Sequence, residues 1–197
     1  MTVQLGVAVE ALLSSGVALQ QGTSSDVDPT PPQSETTNYY QVSGTTARQL
    51  RDSIDRHRPS NVDKTRWDAL TFSSLQWTFE TSKGPSGCTL ASHNVTVKIV
   101  MTLPAFADET TAPASVVEAW RAYRDRLVDH ERGHRSISLI AADEIRRALE
   151  NVAPQSSCAE TKRIAEETAA RIRAEARAKN RQFDFDTNHG LRRGQNR

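Results

Sequence analysis

From Trp120 to Ile145 one spacing is kept without a break: Trp120, Tyr123, Leu127, His130, His134, Ile137, Ala141 and Ile145 follow one another at intervals of three and four. Such a stripe occupies one face of one helix. Ser115-Val116-Val117-Glu118 reads as a capping box at its start, and Pro154 ends it, so the sequence predicts a helix to about Val152. A helix this long must bury its stripe against another layer, and the remainder of the chain has to supply that layer. Two of the eight stripe residues are histidines, on the face meant for the core.

The supporting elements are legible in outline. Residues 39–44, YYQVSG, read as a short strand, and Thr46-Ala47-Arg48-Gln49 opens a helix to about Arg56. Residues 66–80 and 88–104 have strand character with period-two alternation, and TSKGPSG (81–87) between them has hairpin-turn chemistry. After Pro154, Ser157-Cys158-Ala159-Glu160 caps a last helix expected to end near Arg181. A short connection favours antiparallel packing of the two long helices. The order predicts an α+β fold, a small antiparallel sheet covered by the long helix and a second antiparallel one.

The 197 residues suit one domain, and 37% hydrophobic against 25% charged residues is a globular composition. No apolar run approaches the roughly 20 residues of a membrane span, so stable membrane insertion is not expected. A net charge of +1 gives no argument for nucleic acid, and the basic C-terminal third is interleaved with Glu166, Glu167 and Glu175, as on a solvated helix face. Residues 1–21 form an N-terminal apolar segment that reads equally as a signal-peptide core or a short helix. Glu10 interrupts it, and no Lys or Arg precedes Arg48. Residues 22–38, rich in Ser, Thr, Pro and Asp, read as a disordered linker, so the domain is expected over 39–197. Cys88 and Cys158 are a disulfide, two buried thiols, or half of a zinc site.

The histidines belong to His130-Glu131-Arg132-Gly133-His134, an H-E-x-x-H. Residues four apart on a helix lie one above the other, so both imidazoles can bind one ion. Glu131 is rotated by about 100° from His130, which suits a general base acting on the ion's water rather than a ligand. Imidazole ligands and carboxylate-assisted hydrolysis suit Zn2+. Two histidines are not enough, and a third ligand must come from elsewhere. The metzincin continuation needs Gly at 137 and His at 140, where Ile137 and Ile140 stand, so that class is excluded. Glu160 and Glu166 on the last helix are conceivable ligands without distinguishing surroundings. The tail QFDFDTNHGLRRGQ (182–195) differs from the Arg-rich helix before it and offers His189 beside Gly190, with Asp184 and Asp186 close by.

These features together resemble the bacterial DUF922 family of secreted zinc-dependent proteases known by prediction. The resemblance spans about residues 39–195 and rests on YYQVSG, the Trp-containing hairpin with Cys88, Leu103-Pro104, AWRAYRDRLVDHERGH (119–134), Cys158 and FDFDTNHG (183–190). Phe183 stands where the family commonly has Tyr. The resemblance implies a zincin-like peptidase, export to the periplasm or beyond, and pairing of Cys88 with Cys158. The resulting expectation is a zinc metallopeptidase acting on a protein or peptide substrate. His130, His134 and His189 hold zinc with water as fourth ligand, and Glu131 is the general base. Asp184 is either a partner of a ligand histidine or the alternative third ligand. The rival reading is a non-enzymatic cell-envelope domain whose zinc is structural or vestigial.

Overall fold

The computed structural model describes residues 33–60, 64 and 66–190. The apolar segment 1–21, residues 22–32 of the expected linker and residues 191–197 lie outside the described residues. Six elements follow in order: β1 (Gln33–Val42), α1 (Ala47–His57), β2 (Leu70–Gly84), β3 (Gly87–Phe106), α2 (Ala114–Glu150) and α3 (Cys158–Thr187). No helix among the described residues is long and apolar enough to cross a membrane. The architecture is the expected α+β.

Two differences concern the sheet. Its order is β1-β3-β2, and β1 runs parallel to β3, so the sheet is mixed rather than wholly antiparallel. The chain leaves β1 through α1, lays β2 on the far edge and returns through a hairpin, which puts β3 in the middle, antiparallel to β2 and parallel to β1. The second difference is the start of β1. Residues 33–38, read as linker from their composition, pair with Val97–Thr102 of β3. A ladder satisfies main-chain groups whatever the side chains are, and Glu35 is further fixed by two bonds from Arg135 of 2.8 and 2.7 Å.

The hairpin forms where its turn chemistry lies, with Gly84 opposite Gly87 across Pro85 and Ser86. Thr46 caps α1 by accepting from the Gln49 N–H, and Ser157 caps α3 by accepting from Glu160 at 3.2 Å. The box read at Ser115 is not used. α2 starts at Ala114 with Pro113 at the N-cap, whose side chain has no acceptor to offer the first-turn N–H groups.

α2 and α3 pack antiparallel on one face of the sheet. Val95, Val97 and Ile99 of β3 meet Ala141, Ala142, Ile145 and Leu149 of α2 and Ala165, Ala169, Ile172 and Ala176 of α3. Ile99 and Ile145 are wholly buried, and burial of side chains of this size stabilises by about 1.5–3 kcal/mol each. The alanines of α3 let the two helices approach closely. At the far end Cys88 and Cys158 are disulfide-bonded across 70 residues. Cys88 and Gln155 also exchange main-chain hydrogen bonds of 2.7 and 2.9 Å.

α3 runs to Thr187, six residues beyond the expected end at Arg181. The tail FDFDT is the last turn and a half of this helix. That extension decides the geometry of the site.

Candidate metal centre

α2 is buried on two sides, one against the sheet and one against α3 beside it. The stripe through Leu127, His130 and Ala141 is one buried face, while Glu131, Ser138, Ala142 and Leu149 form a second. The second face looks towards β2, where Ser138 Oγ lies 2.8 Å from Ser73 Oγ. His130 and Glu131 are 6% and 3% exposed, unusual for a carboxylate and decisive for its chemistry.

Opposite the histidines, α3 presents Asn180, Phe183, Asp184 and Thr187, spaced at i, i+3, i+4 and i+7, one helical face. The buried stripe Ala165, Ala169, Ile172, Ala176 thus continues, about one helical turn on from Ala176, in Asn180, Phe183, Asp184 and Thr187. Phe183 stacks on the His130 ring at 4.9 Å and meets His134 edge-on at 5.2 Å. Gly133 permits this, since a Cβ there would overlap the Phe183 ring. Gly190 closes the other side at φ +80°, its Cβ position 2.9 Å from that of His130.

The hydrogen bonds fix the protons. The Asn180 amide nitrogen donates to Ala176 O at 3.0 Å, so its oxygen accepts from His134 Nδ1 at 2.7 Å. The Thr187 hydroxyl donates to Phe183 O at 2.6 Å, so its oxygen accepts from His130 Nδ1 at 3.0 Å. Both imidazoles therefore carry their proton on Nδ1 and turn a bare Nε2 inward. The two Nε2 atoms lie 3.1 Å apart, with Asp184 Oδ1 at 3.2 Å from His130 and 3.0 Å from His134. Three acceptors converge with no donor among them.

Such a cluster suits a cation. His130, His134 and Asp184 are the group whose ligand atoms all lie within 4.8 Å of one another. Zn–N bonds of about 2.0–2.1 Å in tetrahedral geometry put two nitrogens about 3.3 Å apart, close to the 3.1 Å found. Without an ion, one proton must serve instead. Burial alone would depress the His134 pKa, but its bonds to Asp184 and Asn180 and the nearby carboxylates raise it. Burial likewise works against the Asp184 carboxylate, and the two histidines outweigh it, holding the group well below the usual carboxylate range.

Asp184, not His189, thus stands at the third corner. The expectation of His189 assumed a loose tail folding over the pair. Because α3 stays helical, Asp184 projects from it onto the histidines, and His189 falls after the C-cap in a turn where Asn188 and His189 both have positive φ (48° and 52°). Its Nδ1 faces Asp184 Oδ1 at 3.3 Å, and its ring stacks on Trp67 at 3.7 Å. Glu160 pairs with Arg163, and Glu166 accepts from Trp77, both away from the site.

Glu131 lines the same cleft of about 640 Å³ as His130, His134, Asp184 and His189. Its Oε2 is buried without a hydrogen-bond partner among the described residues. Burial pushes its pKa up, against the lowering effect of Thr71 and the two histidines. The opposite wall is the segment from Trp67 to Ser73, at the start of edge strand β2. Asp68 anchors that wall, accepting from Arg51 at 2.6 and 2.8 Å, from Arg58 at 3.2 Å and from the Tyr123 hydroxyl. Tyr123, the stripe residue two turns before His130, therefore serves the wall rather than the ion.

A family model described as "Bacterial protein of unknown function (DUF922)" matches residues 37–190. The chain belongs to the DUF922 family. No curated protein and no solved structure matches it. In this DUF922 chain the match takes in all of His130, Glu131, His134, Asn180, Asp184 and His189, and ends at Gly190, the residue packed against His130. Roles for Asn180, Phe183, Thr187 and Gly133 at the site do not follow from the sequence reading, which names Phe183 only for the family resemblance. The signal for the first three was the continued spacing of the alanine stripe.

Proposed function

We propose that this DUF922 protein is a zinc-dependent peptidase of the bacterial envelope or exterior. The observation that carries the reading is the convergence of His130 Nε2, His134 Nε2 and Asp184 Oδ1 beside the unpartnered Oε2 of Glu131 in an open cleft. Three protein ligands suit a catalytic zinc, whereas structural zinc sites are normally closed by four. Zinc held there supplies Lewis acidity and makes water ionisable near neutral pH.

The chain's own residues do the rest. His130 and His134 are locked in the metal-binding tautomer by Thr187 and Asn180, an orientation that outer partners typically enforce on ligand histidines. Glu131 Oε2, desolvated and free of competing donors, takes the proton of the attacking water and passes it to the departing amine nitrogen. An extended peptide can add to the edge of β2 along Leu70–Ser73, which brings its main chain past Glu131. The disulfide supports an oxidising compartment.

Glu131→Gln keeps size and polarity and removes the base. Zinc content should stay at the wild-type level while peptide hydrolysis falls at least about a hundredfold. Hydrolysis unchanged by this substitution would remove Glu131 from the mechanism.

A further inference from the structure

The acids and arginines that line the cleft are unequally matched. Its acids are Asp68, Glu131 and Asp184. Asp68 is taken by Arg51, Arg58 and Tyr123. Asp184 is shared by His130, His134 and His189. Glu131 is buried within the site itself. None of the three remains for Arg66 or Arg181, which also line the cleft. These two come from opposite walls, Arg66 from the chain just before Trp67 and Arg181 from α3, one residue after Asn180. The Arg66 guanidinium is oriented by two main-chain carbonyls, Arg56 O at 3.0 Å and Arg58 O at 3.1 Å. Those bonds hold its position, and among the described residues no carboxylate pairs with it.

Guanidinium groups bind carboxylates through paired, charge-assisted hydrogen bonds, stronger and more directional than neutral ones. A cleft walled by such groups also concentrates anionic ligands. We infer that the substrate presents a carboxylate to Arg66 and Arg181, either an acidic side chain near the scissile bond or a free chain terminus. This inference rests on the peptidase reading for the bond that is cut, and on the cleft alone for the charge that is selected.

The test uses the full chain loaded with zinc and a degenerate decapeptide library made in two forms, with free and with amidated C-termini. Wild-type protein is scored by the residues enriched among its cleavage products. Zinc-loaded Glu131→Gln protein is scored by the peptides it retains. Asp and Glu at a fixed distance from the cut should be enriched about tenfold over Asn and Gln if a side chain supplies the carboxylate. If the terminus supplies it, the free-acid form should be preferred by a similar factor. In Arg66→Gln/Arg181→Gln, both exposed positions, that preference should fall below about twofold. Cleavage with no preference for either carboxylate overturns the inference and leaves the peptidase standing. If no peptide is cut, the peptidase reading falls. Retention by the Glu131→Gln protein then decides the inference, which an anionic preference supports and an indifferent pool overturns.

Discussion

Over its first five turns α3 meets the rest of the chain through Ala165, Ala169, Ile172, Ala176 and the disulfide at Cys158, whereas its last two turns present Asn180, Phe183, Asp184 and Thr187. The same helix, continuing the same spacing against the same partner, is held at one end by close apolar packing and covalent linkage. At the other it gathers three ligand atoms within 4.8 Å of one another, an arrangement suited to a cation. Stability and site are thus laid out in sequence along one element. The first end places the second. Cys158 to Asp184 is 26 residues of continuous helix, about 39 Å at 1.5 Å per residue, so the docked apolar end fixes where Asp184 meets His134.

Changes at the two ends should therefore separate stability from metal affinity. The largest effect is expected at the first end. Removing the bridge with Cys88→Ala/Cys158→Ala frees a loop of 70 residues, worth about 4 kcal/mol in the chain-entropy model. Urea denaturation should show that loss, while the protein that remains folded in buffer binds zinc as the wild type does. A loss of zinc affinity without loss of stability would mean that the two ends are not divided as described.

At the site end the balance reverses. Gly133→Ala places a methyl group in the Phe183 ring and lifts the last turns of α3 from α2. Zinc affinity should fall about a hundredfold, roughly 2.7 kcal/mol, with the urea midpoint of the metal-free protein little changed. Asn180→Ala is milder. It frees the Nδ1 proton of His134 without touching the ligand atoms, and zinc affinity should fall about tenfold, the lower end of the range for such partners.

The sequence disclosed these two ends unequally. Histidines four apart on an apolar stripe announce a helix and two adjacent imidazoles at once, because both follow from the 3.6-residue period. The core positions Ala141 and Ile145 follow from the same count. What it did not disclose is where helix gives way to tail. Phe183, Asp184, Phe185 and Asp186 are weaker helix formers than the Arg- and Ala-rich run before them, and local propensity argued for an end near Arg181. Tertiary packing overrode it, since Phe183 on His130 and Thr187 under His130 hold the last turns in place. The consequence was large, for it set Asp184 rather than His189 within reach of both ring nitrogens. The start of β1 was hidden for a related reason, because a ladder on the central strand accepts a Ser- and Thr-rich edge that composition alone assigns to a linker.

The central claim is that His130, His134 and Asp184 hold the ion, and calorimetric zinc titration of wild type, Asp184→Ala and His189→Ala compares the two candidates for the third corner directly. Asp184→Ala should lose about a thousandfold or more in affinity, as befits a missing ligand, and His189→Ala no more than about 10- to 100-fold, as befits a neighbour of that ligand. Near wild-type affinity in Asp184→Ala with loss of binding in His189→Ala would contradict the account and return the third position to the histidine.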